Sequence, residues 1–88
     1  MGNIAYKEKV DTNREYQALS DILGISLNEG VTYVLQVTGS FTFYIGTSKP
    51  TKGGNELNGG TIVKFKLADG DQAYLRTWNI PSNVNLQK

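Results

Sequence analysis

Val31-Thr32-Tyr33-Val34-Leu35-Gln36-Val37 decides the fold class. Val31, Tyr33, Leu35 and Val37 share one side of an extended chain, and Thr32, Val34 and Gln36 share the other. Successive side chains of a strand point to opposite faces, so a two-residue apolar period rich in β-branched and aromatic residues reads as a strand. Toward the C-terminus, Thr38-Gly39-Ser40 is a turn signal, and residues 41–45 repeat the period with Phe41, Phe43 and Ile45 on one face. The two segments together read as a hairpin.

A long polar loop spans residues 46–60, with Pro50 and paired glycines at 53–54 and 59–60. Leu57 is expected to anchor this loop on the core. Residues 61–67 form the next strand, with Val63, Phe65 and Leu67 inward and Lys64 and Lys66 outward. Asp69-Gly70-Asp71 signals a tight turn, since glycine accepts a positive φ. Residues 72–78 are the strand that answers it. Ile80-Pro81-Ser82-Asn83 turns again, and residues 84–87 are expected as a short last strand at a sheet edge.

In the N-terminal third, Ile4, Tyr6 and Val10 allow a strand interrupted at Glu8. Tyr16, Leu19 and Leu23, spaced at three and four, fit a short helix capped by Asn13. The same stretch also reads as a strand over 14–19 followed by one helical turn over 20–23, which is the preferred reading. Ile25 and Leu27 then make a short strand before Asn28-Glu29-Gly30. Six to seven short antiparallel strands with Gly-rich turns predict a single small all-β sandwich or barrel. Its expected limits are residues 14–88, preceded by an extended N-terminal arm over residues 1–13.

With 88 residues the chain is sized for one domain. A domain this small buries only roughly 60% of its unfolded surface. Staples usually supplement so thin a core. Cysteine and histidine are both absent from the sequence, which removes disulfides and the ordinary zinc and copper ligand sets. Oligomerisation or docking on a partner is the expected support.

Nine basic and eight acidic residues give a net charge of +1, with signs alternating along the chain. Nucleic-acid binders show a basic excess or stripe, so neither nucleic acid nor an anionic membrane is the expected partner. No apolar run is long enough to span a bilayer. The N-terminal residues have neither a signal-peptide layout nor, with Tyr6 in place of Ser or Thr, a myristoylation motif.

Candidate chemistry is sparse. Without His or Cys, the commonest general base and the thiol nucleophile are missing. Asp69 and Asp71 share one tight turn with nothing to separate their acidities, and Glu56 sits in a polar loop. Turn chemistry therefore accounts for them better than a carboxylate pair. A calcium loop starting at Asp69 would need acidic ligands where Ala73 and Ile80 stand. The stretch from Gly46 to Gly54, with Lys49 and Lys52, departs from the P-loop pattern. No enzyme activity, cofactor or metal is expected.

Aromatic residues carry more information. If Phe43 points inward, Tyr44 points out. Tyr74, Arg76 and Trp78 share a face opposite Ala73 and Leu75. If Ala73 and Leu75 are inside, a Tyr-Arg-Trp stripe lies on the outer face, in the residue types enriched at interface hot spots. The competing reading puts Tyr74 and Trp78 in the core with Arg76 reaching out. Lys49 and Lys52 on the loop, and Ile4 and Tyr6 on the arm, complete the candidate interface residues. A sugar-binding platform would use the same aromatics.

The layout Tyr33-Val-Leu-Gln-Val-Thr-Gly39, Phe43-Tyr-Ile-Gly46, Pro50, Leu57-Asn-Gly-Gly60, Gly70 and Ala73-Tyr-Leu-Arg76 resembles small β-sandwich virion proteins of tailed bacteriophages. Ala18-Leu-Ser-Asp-Ile-Leu-Gly24 fits the same layout. The resemblance covers roughly residues 15–80 and is a pattern of strand ends and turns. It implies a structural subunit of the capsid-decoration, head-fibre or tail-attachment kind. Such a subunit assembles into the virion from the host cytoplasm, often as a trimer, and contacts other virion proteins and possible host-surface glycans. An arm over residues 3–12 could add a strand to a neighbour.

Overall fold

The computed structural model describes residues 3–78 and 82–88. Its elements, in order, are β1 (Asn3–Val10), β2 (Gln17–Ala18), α1 (Leu19–Leu23), β3 (Thr32–Val37), β4 (Phe41–Gly46), β5 (Asn55–Leu57), β6 (Ile62–Lys66), β7 (Gln72–Thr77) and β8 (Ser82–Gln87). The chain is all-β, as expected, with eight strands among the described residues in place of six to seven.

One rule generates the topology. β1 pairs with β8, β2 with β7, β3 with β6 and β4 with β5, all antiparallel. The chain is therefore one long hairpin with its tip at β4–β5. It is rolled so that β8 also meets β3 and β7 also meets β4. The result is two four-stranded sheets, β1-β8-β3-β6 and β2-β7-β4-β5. This nested pairing is the jelly-roll arrangement.

Strand alternation builds the core between the sheets. Tyr33, Leu35, Val37, Val84 and Leu86 point inward from the first sheet, and Phe41, Phe43, Ala73 and Leu75 from the second. Phe65 ties the layers together. Its ring stacks on Tyr33 at 5.5 Å and lies 5.1 Å from Phe43 across the sandwich. Leu57 and Val63 are half-buried against this core, so the anchor expected within the loop is in place.

Both hairpins expected from the turn signals are corrected. β3 and β4 lie in different sheets, and so do β6 and β7. The link over residues 38–40 does not close on itself: Thr38 N–H donates to the Asn83 carbonyl, and the Ser40 carbonyl accepts from Trp78 N–H. At residues 68–71 the tight turn is real, with Asp71 N–H on the Ala68 carbonyl and the Asp71 carboxylate accepting from Ala68 N–H. The strands on either side nevertheless diverge into opposite layers. Turn residues mark where a strand ends, not which sheet the next one joins.

β8 was expected at an edge and is central, flanked by β1 and β3. The turn expected at Ile80-Pro81 lies outside the described residues. Of the segment read as an N-terminal arm, residues 3–10 form β1, which runs along β8 of the same chain. Register shifts interrupt β1 between Asn3 and Ala5 and between Lys7 and Val10, and Lys9 takes φ +56. Bulges and charges on an edge strand discourage pairing with another chain. Ile25 and Leu27, expected as a strand, are coil packed on the core.

The helical turn expected over residues 20–23 is α1, which buries Leu19 and Ile22 against β1 and β7. It closes one open side of the sandwich. Beside it, Thr12 and Thr77 form a buried hydroxyl pair. Thr77 N–H donates to Thr12 Oγ1 at 2.9 Å, Thr12 N–H donates to Thr77 Oγ1 at 3.3 Å, and the two oxygens are 3.2 Å apart. The link between β1 and β2 is thereby tied to the second sheet. The opposite side, between β6 and the β4–β5 pair, has no helix over it among the described residues.

Candidate functional site

Alternation on β7 sends Ala73, Leu75 and Thr77 into the core and leaves Tyr74 and Arg76 on the outside of the second sheet. β4 does the same with Thr42 and Tyr44. Register then sets Thr42 beside Arg76, and Tyr44 beside Tyr74. Of the two readings of this strand, the structure takes the one with Ala73 and Leu75 inside, so Tyr74, Arg76 and Trp78 lie on the outer face. It is not bare: Tyr74 is buried, and Arg76 and Trp78 are half-buried.

Two segments make that cover. Tyr16, from the stretch before β2, lies over the sheet and is buried. The Arg76 guanidinium sits between two rings, 4.5 Å from the Tyr16 centroid and 4.6 Å from that of Trp78. A cation over an aromatic face is attracted by the ring quadrupole, worth about 0.5–2 kcal/mol per contact. Arg76 Nε is buried without a hydrogen-bond partner among the described residues. Among the described residues no carboxylate pairs with Arg76. The indole of Trp78 is fixed by its Nε1–H, which donates to Thr42 Oγ1 at 2.7 Å.

The second cover is the loop from Gly46 to Gly54. Tyr16 donates its hydroxyl proton to the Gly53 carbonyl, latching the loop onto the face. Gly54, at φ +99, lies so close that a Cβ there would collide with the Tyr16 hydroxyl and approach the Phe43 carbonyl to 3.1 Å. Burial pushes the Tyr16 phenol above its ordinary acidity range, and the neighbouring Arg76 charge pulls it partly back.

Tyr44 is the exposed member, at 36%. Its ring meets Tyr16 edge-on at 6.3 Å and Tyr74 at 6.4 Å. Lys49 lines a shallow depression with Arg14, Glu15, Tyr16, Pro50 and Thr51, so the loop and the β1–β2 link share one rim. Lys52 is exposed on the same loop.

Ile4 and Tyr6 do not belong to this site. They are exposed on β1, an edge of the other sheet, where Tyr6 pairs with Asn85 on β8. The candidate residues therefore divide between two faces of the domain. Tyr16 and Thr42 are members that sequence reasoning missed. Thr42 was legible by the period that put Tyr44 outside, whereas the apolar spacing of Tyr16 with Leu19 and Leu23 pointed to the core. No cluster of three or more metal-capable side chains is present among the described residues.

Comparison with family models, curated proteins and solved structures gives no match to this chain.

Proposed function

We propose that this chain is a non-enzymatic structural subunit that works through protein–protein contacts, of the virion type its sequence layout resembles. The observation that carries the binding part of this reading is the outer face of the second sheet. Tyr16, Tyr44, Tyr74 and Trp78 are grouped there around the Arg76 guanidinium, which lies against the Tyr16 and Trp78 rings and has no carboxylate partner among the described residues. Tyr, Trp and Arg dominate interface hot spots because they bring large area and directed donors at low entropic cost. A pre-stacked arginine has already lost the side-chain freedom that binding would otherwise cost.

The virion part rests on the strand-and-turn layout of residues 15–80. Jelly rolls are found among viral capsid domains and also among lectins, so the fold suits this reading without selecting it. A glycan-binding module is the rival reading, and exposed Tyr44 favours it. Sugar rings, however, stack on open aromatic faces, and here Arg76 occupies one face of both Tyr16 and Trp78. Protein contact is the better fit.

The test is peptide mass spectrometry with copy-number quantitation on particles purified from the source. A fixed stoichiometry in multiples of capsid or tail symmetry is the expected result. Absence from particles, with abundant protein in the cell, would discard the virion reading. Glycan-array hits lost on Tyr44→Ala would replace it with the sugar-binding one.

A further inference from the structure

The two open sides of the sandwich are finished differently. α1 and the Thr12–Thr77 tie close the side at β1 and β2. On the other side β5 pairs only with Phe41, Thr42 and Phe43, so Tyr44 to Gly46 have no strand beyond them on that edge among the described residues. Facing them is β6, which has β3 on one side and, among the described residues, no strand on the other. Between the two edges runs a groove of about 590 Å³ lined by Phe43, Ile45, Val63 and Phe65, with Tyr44 and Lys64 at its lip. Core side chains thus form the wall of an open seam.

The two edge strands of the first sheet also differ. β1 carries two register shifts and the charged run Lys7-Glu8-Lys9. β6 pairs with β3 over five residues in unbroken register, contains no proline and exposes Ile62 at 59%. A regular, uninterrupted edge is a template for an added strand.

We propose that β6 is a strand-addition site for an extended segment of another protein that alternates acidic and apolar residues. Period 2 dictates this chemistry. Side chains of the added strand on the core side would enter the groove beside Val63 and Phe65. Those on the outer side would lie beside Lys64 and Lys66, which are exposed and form no ion pair among the described residues. A second copy of this chain is a poor occupant. Its own β6 laid antiparallel on this edge would set Lys64 and Lys66 of the two copies against one another, and like charges across a strand pair repel. The site meets the aromatic face at Tyr44 but uses neither Arg76 nor Trp78, and it stands whether or not that face binds protein.

The experiment uses the full ¹⁵N-labelled chain with two probe octapeptides, acetyl-EVEFEVEV-amide and its lysine counterpart acetyl-KVKFKVKV-amide. The acidic peptide is expected to slow hydrogen exchange of the outward-facing β6 amides. It should also shift resonances of Phe43, Ile45, Val63 and Phe65, and bind at least about tenfold tighter than the basic one. Lys64→Glu/Lys66→Glu should reverse that preference while keeping the fold, since both positions are exposed. Equal affinity for the two peptides, unchanged β6 exchange at millimolar peptide, or shifts confined to β1 or the aromatic face would each overturn the proposal. Concentration-dependent dimerisation that protects β6 without peptide would likewise overturn it, by making a second copy the occupant.

Discussion

Gly53 and Gly54 are adjacent, both at positive φ, and differ in what surrounds them. Their alanine variants therefore separate backbone strain from steric contact. At Gly53, φ +85, an added Cβ would meet nothing within 4 Å, so Gly53→Ala carries only the backbone term. Holding an L-residue in that region costs about 1–2 kcal/mol. Gly54→Ala carries the same kind of term and also drives a methyl group into the Tyr16 hydroxyl. Relief requires Tyr16 to swing away and release the Gly53 carbonyl, forfeiting a hydrogen bond worth about 0.5–1.5 kcal/mol net. Part of the Arg76 stacking goes with it, worth about 0.5–2 kcal/mol per ring. The expected totals are about 1–2 kcal/mol for Gly53→Ala and about 3 kcal/mol for Gly54→Ala. Any gain from a stiffer unfolded chain is common to both variants and cancels in the comparison. In a domain of this size 1 kcal/mol moves Tm by about 4–8 °C. Urea and thermal melts followed by Trp78 fluorescence should therefore separate the two variants clearly. Equal destabilisation within about 0.5 kcal/mol, the usual scatter for surface substitutions, would refute the latch.

Other expectations follow from the same structure. Thr77→Val strands the Thr12 N–H in a buried site and should cost about 1–3 kcal/mol. The Thr12→Val/Thr77→Val double variant should cost less than the sum of the singles, read by urea denaturation, because the pair is coupled. Phe65→Ala should cost about 3–5 kcal/mol as a core truncation, whereas Ile62→Ser, three positions away on the opposite face of the same strand, should change stability by less than about 0.5 kcal/mol. The phenol of Tyr16 is raised in the folded state, so the native protein holds that proton more tightly than the unfolded chain. This contribution is fully present below pH ~10, the ordinary tyrosine value, and fades as pH climbs through the higher folded value. Chemical denaturation at pH 8 and pH 11 should show a loss of stability that is smaller in Tyr16→Phe, and an equal loss in both proteins would exclude Tyr16 as a source.

Much of the strand inventory was legible because alternation is a local property. The inward sets Tyr33/Leu35/Val37 and Phe41/Phe43 are written directly in the sequence, whereas alternation over residues 73–78 left two faces open, and the structure puts Ala73 and Leu75 inside. Placing Ala73 and Leu75 inside was enough to put Tyr74 and Arg76 outside. Pairing was not legible, because β3 and β4 are joined by a three-residue turn signal yet contact different sheets. Their partners lie tens of residues away, and nothing local distinguishes a turn within one sheet from a crossing between two. The same blindness put β8 at an edge: Ser82–Gln87 alternates cleanly, but whether both its flanks are paired depends on β1 and β3. Within the candidate site, Tyr16 escaped for a related reason. Its spacing marks it as apolar-facing, and only the path of the β1–β2 link turns it onto the far side of the second sheet, where its partners are Arg76 and Gly53.

The nested pairing also orders the assembly of the molecule in time. Each closure of the rolled hairpin shortens the loop left for the next one, so the cheapest sequence runs from β4–β5 outward to the chain ends. The last strand made is the one that joins β1 to β3, and before it arrives the first sheet exists as two unconnected pieces. This fold cannot be completed until residues 82–87 are free to pair, and the slow step is the closure between β1 and β8. Asn3 and Gln87 are ladder partners, so a short linker between the ends, with the chain reopened at Asp69-Gly70, converts that closure into a local one. The permuted protein should refold faster than the parent at equal stability. Equal rates would mean that the ends meet early and that the roll closes from its rim, not from its tip.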